Sequence, residues 1–229
     1  MDYSLLTVIV PTLNEEKSIG LLANSLLKSY DGISVIVSDD GSRDQTRNIV
    51  QSIRSKKVLF LDRSKEIEKG LTASVLDAIE RCRTPYFIVM DGDLQHPIQA
   101  VEPLFRELSD GSELAIAVRE KVSVEWPFSR KVISYGANFL GQVRLIPRNY
   151  FFCDVMSGFF GMDTSVAKRV LEKNRHRFVL GGYKVLFDFL KLLPKQRVAT
   201  VPYVFGSREF GESKINSSHM ALFLKSLVS

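Results

Sequence analysis

Strand-like and helix-like patterns alternate along the first half of this 229-residue chain. Short apolar runs predict strands at 6–10, 34–37, 58–61, 86–90 and 114–118. The amphipathic segments between them predict helices at about 14–28, 42–54 and 70–81, and one more after residue 97. Ser42 is the expected N-cap of the second helix. This alternation is typical of an α/β fold with a doubly wound, mostly parallel central sheet and flanking helices.

The second half of the chain is less regular. A helix that mixes apolar and cationic residues is predicted over 127–146, and shorter helices near 164–174 and 182–193. Strands are predicted at the end of 151–162 and at 197–205. We assign 1–216 to one catalytic domain and 217–229 to a C-terminal amphipathic segment, which is expected to lead to a membrane anchor beyond this sequence.

A proline and several charged side chains follow predicted strands, at the edge where an α/β sheet binds its ligands. They are Pro11, Asp39, Asp40, Arg63, Asp91 and Asp93. Asp91 and Asp93 are two residues apart after a buried strand, so both carboxylates share one face of an extended backbone, with Gln95 next in the series. Oxygen ligands of this kind suit Mg²⁺ or Mn²⁺ that bridges to substrate phosphates. A solvated turn after the strand is the alternative.

The charge of the chain is divided unevenly between its halves. Residues 1–115 carry 13 Lys and Arg against 18 Asp and Glu, whereas residues 116–229 carry 18 against 8. The basic half indicates an anionic partner, and phosphates or lipid headgroups are favoured over nucleic acid, which we do not expect to bind. An ordinary solvated basic face is the alternative. No signal peptide and no apolar run of about 18 residues is present, so the chain as given is not expected to span a bilayer, although it could lie on one.

Seven short motifs resemble, in order and spacing, the inverting family 2 glycosyltransferases of the dolichol-phosphate mannosyltransferase (polyprenol-phosphate) type. They are V-P-T-L-N-E at 10–15, V-S-D-D-G-S at 37–42, Arg63 with G-L-T-A at 70–73, D-G-D-L-Q-H-P at 91–97, W-P-F-S-R-K-V-I-S at 126–134, D-V-M-S-G-F at 154–159 and R-E-F-G-E-S-K at 208–214. The resemblance covers nearly the whole chain and implies the GT-A fold, which binds nucleotide sugars.

The resemblance also implies a donor site and a metal site. The donor residues are Pro11, Leu13, Glu15, Val37, Asp39, Asp40, Arg63, Asp91, Gly92, Asp93 and Gln95. Asp91, Asp93 and Gln95 are the expected metal ligands. Leu13 departs from the Tyr that this family usually has beside the nucleotide base, so the base, guanine or uracil, stays open.

An acceptor-phosphate site is implied in the basic half by Arg119, Arg130, Ser134, Arg208 and Lys214. Arg119, Arg130 and Arg208 are expected to act in catalysis together with Asp91 and Asp93. Arg suits this role because its planar fork binds phosphate oxygens in pairs. The role of Asp154 stays open between orienting these groups, contacting the sugar and capping the backbone. His96 is expected to pack at the start of a helix rather than to bind the metal.

The function that follows is the inverting transfer of one hexose, mannose from GDP-mannose, to dolichyl or polyprenyl phosphate. The enzyme is expected to be peripheral on the cytoplasmic face of a membrane, with the 127–146 helix in the membrane interface. A buried helix is the alternative for that segment. Other functions left open are transfer from UDP-glucose or another UDP-sugar, transfer to a glycan, and a non-catalytic nucleotide-binding subunit.

Overall fold

The structure, a computed structural model, describes residues 1–122, 128–148, 154–194, 197–206 and 217–228. Within these ranges seven strands form one sheet: β1 (Leu6–Thr12), β2 (Ser34–Asp39), β3 (Val58–Asp62), β4 (Tyr86–Val89), β5 (Leu114–Val122), β6 (Phe160–Asp163) and β7 (Val198–Phe205). The α-helices in the same ranges are α1 (Ile19–Ser29), α2 (Thr46–Ser52), α3 (Leu71–Arg81), α4 (Val101–Ser109), α5 (Phe128–Leu145), α6 (Thr164–Asn174), α7 (Val185–Leu192) and α8 (Ser217–Val228).

The strand order in the sheet is β3-β2-β1-β4-β6-β5-β7. β1 pairs in parallel with β2 and β4, and β2 pairs in parallel with β3. β6 runs antiparallel to both of its neighbours, whereas β5 and β7 are parallel to each other. The predicted α/β class with a mostly parallel sheet is therefore confirmed. The one reversed strand, β6, was not apparent from the sequence pattern.

Alternate residues of β1 enter two apolar cores, one on each face of the sheet. Val8 and Val10 pack in the core that contains buried residues of α1 and α4, whereas Ile9 packs in the core formed with α3, α6 and α7. All seven residues of β1 are buried, as expected for a central parallel strand covered by helices on both faces. Because β1 is held between the two cores, the positions of the residues that follow its carboxyl end are fixed as well.

The helices α1 and α2 begin later than the sequence predicted. The loops that precede them, after β1 and after β2, are joined by hydrogen bonds from backbone N–H groups of one loop to side chains of the other. Asn14 has a φ of 53°, outside the helical region, so α1 starts only at Ile19. Ser42 does not cap α2 as predicted. Its hydroxyl donates to Asp39 and accepts from the Asn14 backbone N–H at 2.7 Å, and α2 begins at Thr46.

The α5 helix carries apolar side chains that face outward. Phe139 is 66% exposed, and Leu140, Val143 and Ile146, the last of them just after the helix ends, are about half exposed. Its bounds agree with the predicted helix at 127–146. In the described part of the chain, none of the helices combines the length and the apolar character needed to cross a bilayer.

Candidate active site

A cleft of about 350 Å³ opens at the carboxyl edge of the sheet. Most of the predicted donor residues line it: Pro11, Leu13, Glu15, Asp40, Asp91, Gly92, Asp93 and Gln95. Arg119, which was predicted for the acceptor phosphate, lines the same cleft. The structure therefore brings residues from the ends of β1, β2 and β4 together with a cation from β5.

The Asp91–Asp93 pair follows β4 directly. The Asp91 side chain is 38% exposed, whereas Asp93 is only 5% exposed and accepts the Gln95 backbone N–H at 3.2 Å. Gly158 lies against Asp91, since a Cβ placed there would come within 3.3 Å of Asp91 Oδ2. The absence of a side chain at 158 therefore leaves room beside this carboxylate.

Gln95 is held in place by the end of β7. Its side-chain Nε2 donates to the Gly206 carbonyl at 3.1 Å, and its backbone carbonyl accepts the Gly206 N–H at 2.9 Å. Gln95 thus connects the loop that contains Asp93 to the end of β7, the strand at the edge of the sheet.

His96 contacts the first carboxylate, which sequence reasoning did not favour. Its Nε2 lies 3.1 Å from Asp91 Oδ2, and its ring packs against Phe159, Tyr203 and Phe205. Within the described residues its buried Nδ1 has no hydrogen-bond partner. The only indication of this contact in the sequence was that His96 directly follows the Asp-x-Asp-x-Gln series, so its ring lies near the end of the same strand.

Arg63 and Asp39 lie behind the cleft wall rather than on it, as does the fully buried Val37. Asp39 accepts the backbone N–H groups of Gly41 at 3.1 Å and Ser42 at 2.8 Å, which orders the loop after β2. This loop carries Asp40, which does line the cleft. In the described structure Asp39 acts as a support for the wall.

The buried Arg63 guanidinium joins the loop after β2 to α3. It donates to Asp40, to Asp77 through Nε at 2.6 Å, and to the Ser74 hydroxyl at 3.0 Å. Burial raises the pKa of Asp40 above its ordinary value, and the Gly70 N–H and Arg63 oppose that shift. Arg63 therefore positions Asp40 and α3.

Arg119 is paired with Asp154 on the other side of the cleft. Its Nε donates to Asp154 Oδ2 at 2.8 Å, and its guanidinium lies 5.8 Å from the centre of the Phe205 ring. Asp154 is 5% exposed, so it is shielded from water. The other Asp154 oxygen, Oδ1, accepts the Met156 backbone N–H at 3.3 Å, so Asp154 both contacts an arginine and caps the backbone, two of the roles left open for it.

Lys184 is a second cation in the cleft, and no sequence motif pointed to it. Its Nζ donates to the Met156 carbonyl at 3.1 Å and lies 4.7 Å from the centre of the Tyr183 ring. Desolvation lowers the pKa of Lys184 to about 8, although the Asp154 carboxylate opposes the shift. A single Lys before a short helix resembles any surface lysine in the sequence.

The family model described as Glycosyl transferase family 2 matches residues 7–171, a range that includes Asp91, Asp93, Arg119 and Asp154. The chain belongs to glycosyl transferase family 2. The family 2 resemblance seen in the sequence motifs is therefore confirmed.

Curated family 2 relatives match almost the entire chain. The dolichol-phosphate mannosyltransferase of Pyrococcus furiosus is 35% identical over 225 residues, which cover 96% of this chain and 61% of that protein. The protein of the same name from Saccharomyces cerevisiae is 31% identical over 248 residues, covering 99% of this chain and 86% of the relative. The chain thus spans about three-fifths of the length of the Pyrococcus relative.

Solved structures share the family 2 fold at lower identity. Glucosyl-3-phosphoglycerate synthase from Mycobacterium tuberculosis, in complex with phosphoglyceric acid, has a TM-score of 0.69 at 18% identity, covering 97% of this chain and 80% of that one. A complex of the same enzyme with Mn²⁺, UDP and glucosyl-3-phosphoglycerate has a TM-score of 0.68. These matches confirm that the family 2 chain has a GT-A-type fold.

The oxygen ligands of the family 2 cleft fit a hard divalent cation. Asp91 presents a partly exposed carboxylate to the cleft, and Asp93 and Gln95 line it nearby. Among the residues that the structure describes, no group of three or more His, Cys, Asp or Glu side chains is placed to hold a metal alone. Mg²⁺ and Mn²⁺ do not require such a cage, because waters and substrate phosphates complete their coordination.

The remaining predicted acceptor residues fall outside the described part of this family 2 chain. Arg208 and Lys214 lie in the range 207–216, which the structure does not describe. Arg130 and Ser134 lie within α5, but their side chains are not among those described. Their role in binding the acceptor phosphate stays a prediction.

Proposed function

We propose that this chain is an inverting glycosyltransferase that moves one hexose from a nucleotide diphosphate sugar to a dolichyl or other polyprenyl phosphate. GDP-mannose is the favoured donor. The observation that carries the proposal is the composition of one cleft, which is lined by Asp91 and Asp93 and also by Arg119 and Lys184. The carboxylates can bind a divalent cation that holds the diphosphate of the donor. The two cationic side chains can bind the phosphate of the acceptor. The name shared by the relatives supports the same pair of substrates.

On the donor side, Asp91, Asp93 and Gln95 would hold Mg²⁺ or Mn²⁺. A bound divalent cation neutralises the diphosphate and acts as a Lewis acid on the leaving group. The carboxylates supply ligands and not direct charge stabilisation, since they are anions themselves. His96 holds Asp91 in orientation through Nε2. Pro11, Leu13 and Glu15 line the part of the cleft that follows β1, where we place the nucleotide.

On the acceptor side, Arg119 and Lys184 receive the phosphate of the lipid. A phosphomonoester is largely dianionic at neutral pH, because its second pKa is about 6. It is already nucleophilic, so the protein must mainly offset its repulsion from the donor phosphates. Asp154 holds the Arg119 guanidinium in place for this contact. Arg130, Ser134, Arg208 and Lys214 are proposed to complete the phosphate site.

The acceptor places the reaction at a membrane, and α5 offers a surface for it. Phe139, Leu140 and Val143 are exposed apolar residues on this helix, Ile146 follows its last residue, and Arg144 lies among them. An amphipathic helix of this kind can lie in the interface with cations at headgroup level. We propose a peripheral enzyme on the cytoplasmic face, with a catalytic domain at 1–216 and an amphipathic segment at 217–229.

The test is a transfer assay with the full chain, labelled GDP-mannose or UDP-glucose, Mg²⁺ or Mn²⁺, and a polyprenyl phosphate. Label from GDP-mannose in extractable lipid is the expected result. Label transferred from UDP-glucose alone would show that the donor is a UDP-sugar. This comparison is needed because Leu13 leaves the nucleotide base open. Transfer only to an added glycan, or no transfer from any donor, would contradict the proposal.

A further inference from the structure

A buried polar cluster, outside the site described above, joins α7 to α8. The side chains of Asp188 and Lys191 are 2% and 3% exposed, and Lys191 Nζ lies 2.9 Å from Asp188 Oδ1. Lys191 also donates to the Ser226 carbonyl at 2.6 Å and to its hydroxyl at 3.1 Å, while that hydroxyl donates to Asp188. Ser226 is the part of this cluster that α8 supplies.

The cluster continues by hydrogen bonds into the wall of the cleft. The second oxygen of Asp188 accepts the Val179 backbone N–H at 3.2 Å. The Val179 carbonyl accepts the Gly182 N–H at 2.7 Å, and the Gly182 carbonyl accepts the N–H of Thr72 in α3 at 3.1 Å. Gly181, Gly182, Tyr183 and Lys184 all line the cleft. The seam between α7 and α8, formed by Asp188, Lys191 and Ser226, is therefore connected by hydrogen bonds to the segment that contains Lys184.

A second contact links the same two parts. A Cβ placed on Gly181 would lie 3.7 Å from the Leu222 side chain of α8, which is ordinary van der Waals contact. On its other side Gly181 packs against Gly70, whose missing side chain leaves the space, because a Cβ on Gly70 would lie 2.7 Å from the Gly181 Cα. Segment 179–184 is thus packed between α8 and the start of α3.

Removal of α8 from this seam is unfavourable because of the buried ion pair. Lys191 would lose both acceptors that Ser226 provides, and an under-satisfied buried charge is costly. Lys191 is only 4% exposed, and this burial lowers its pKa below the ordinary value. Asp188 would lose the Ser226 hydroxyl as a donor at the same time, which would loosen the side chain that accepts the Val179 backbone N–H.

We infer that Asp188, Lys191 and Ser226 are positioning residues that couple the docking of α8 to the order of the cleft segment 179–184. α8 acts in this scheme as a strap, and Lys184 reaches its place in the cleft only while the strap is docked. The inference goes beyond the proposed function, and its main test does not depend on it.

The experiment is hydrogen exchange on the full chain with the variant Ser226→Val. Peptides covering 217–228 and 176–186 are both expected to exchange at least about tenfold faster, with those covering β1 unchanged. Lys225→Ala, a change at an exposed neighbour on α8, is the matched control and should exchange like the wild type. Ser226→Thr keeps the hydroxyl, so both regions of this variant should exchange as slowly as in the wild type.

The outcomes separate the possibilities. Faster exchange in 217–228 with unchanged exchange in 176–186 would overturn the coupling, and unchanged exchange in both would show that Ser226 does not hold α8. If Ser226→Val fails to fold, Leu222→Ala tests the same seam through a smaller loss. A transfer assay on wild type and variant adds a kinetic readout that rests on the proposed function, whereas the exchange result stands without it.

Discussion

His96 Nε2 lies 3.1 Å from Asp91 Oδ2, inside a cage of aromatic rings at the carboxyl edge of the sheet. The imidazole is 4% exposed, so the contact is protected from water, whereas the carboxylate still faces the cleft. In the proposed metal site, where Asp91 is a ligand, a group that orients it in this way raises the affinity for the ion without touching the ion. His96 therefore prepares Asp91 before any substrate enters.

Replacing His96 by Phe should keep the aromatic packing and remove the contact with Asp91. We expect Mn²⁺ affinity to fall by about tenfold or more, as for other groups that support a metal ligand. Electron paramagnetic resonance of Mn²⁺ titrated into the variant measures this directly. The exposed His176→Phe should bind Mn²⁺ as the wild type does. Equal affinity in both variants would remove His96 from the metal site.

Asp93→Asn should abolish turnover while leaving the fold intact. The substitution keeps the size of the side chain and its acceptor for the Gln95 N–H, so little packing is lost. It removes one anionic oxygen ligand, and we expect kcat to fall on the order of 10²-fold or more. Isothermal titration of the nucleotide diphosphate with and without Mn²⁺ should show that the metal-dependent part of binding is lost. Retained metal-dependent binding would exclude Asp93 as a ligand.

The donor side of the site was largely predictable from sequence, because its residues follow strands directly. Once Pro11, Asp40 and Asp91 are placed at strand ends, a parallel sheet must bring them to one edge. The roles of Arg63 and Asp39 were not predictable in the same way. Being near the edge did not distinguish a residue on the cleft wall from one behind it, and that difference depends on which buried carboxylate or N–H each one meets.

The cation side was less predictable, because its residues come from segments far apart in sequence. Arg119 was expected only from the family resemblance, and its partner Asp154 is 35 positions away in the sequence. Lys184 had no motif, since only the folded structure places this lone, partly buried lysine in the cleft. Strand β6 itself is four residues long, too short for its direction to be visible in a pattern.

Acceptor use should weaken as pH rises above 8. Burial lowers the pKa of Lys184 to about 8, so its ammonium is mostly charged below that pH and mostly neutral above it. The KM for polyprenyl phosphate should therefore increase between pH 7 and 9.5. Lys184→Arg, which stays charged, should flatten this increase, because Arg has a pKa above 12 in proteins. An increase of the same size in Lys184→Arg would show that another group titrates.

The contact between Gly70 and Gly181 gives a prediction on stability. Gly70 has a φ of 121°, which an L side chain rarely adopts, and its added Cβ would lie 2.7 Å from both the Gly181 Cα and the Leu180 carbonyl oxygen. The neighbours are backbone atoms and cannot rotate away. Gly70→Ala should therefore lower the free energy of unfolding by roughly 1–3 kcal/mol, measured by denaturant unfolding.

The matched control for that change is Gly136→Ala in α5. A Cβ at this position meets nothing within 4 Å, and Ala favours a helix interior over Gly by about 1 kcal/mol. The control should therefore be neutral or slightly stabilising. Because Gly70 also donates its N–H to Asp40 at 2.7 Å, the Gly70→Ala variant should bind the nucleotide less tightly as well. Unchanged stability in Gly70→Ala would mean that segment 179–184 moves away from α3 without cost, and the tight packing of the cleft wall would be refuted.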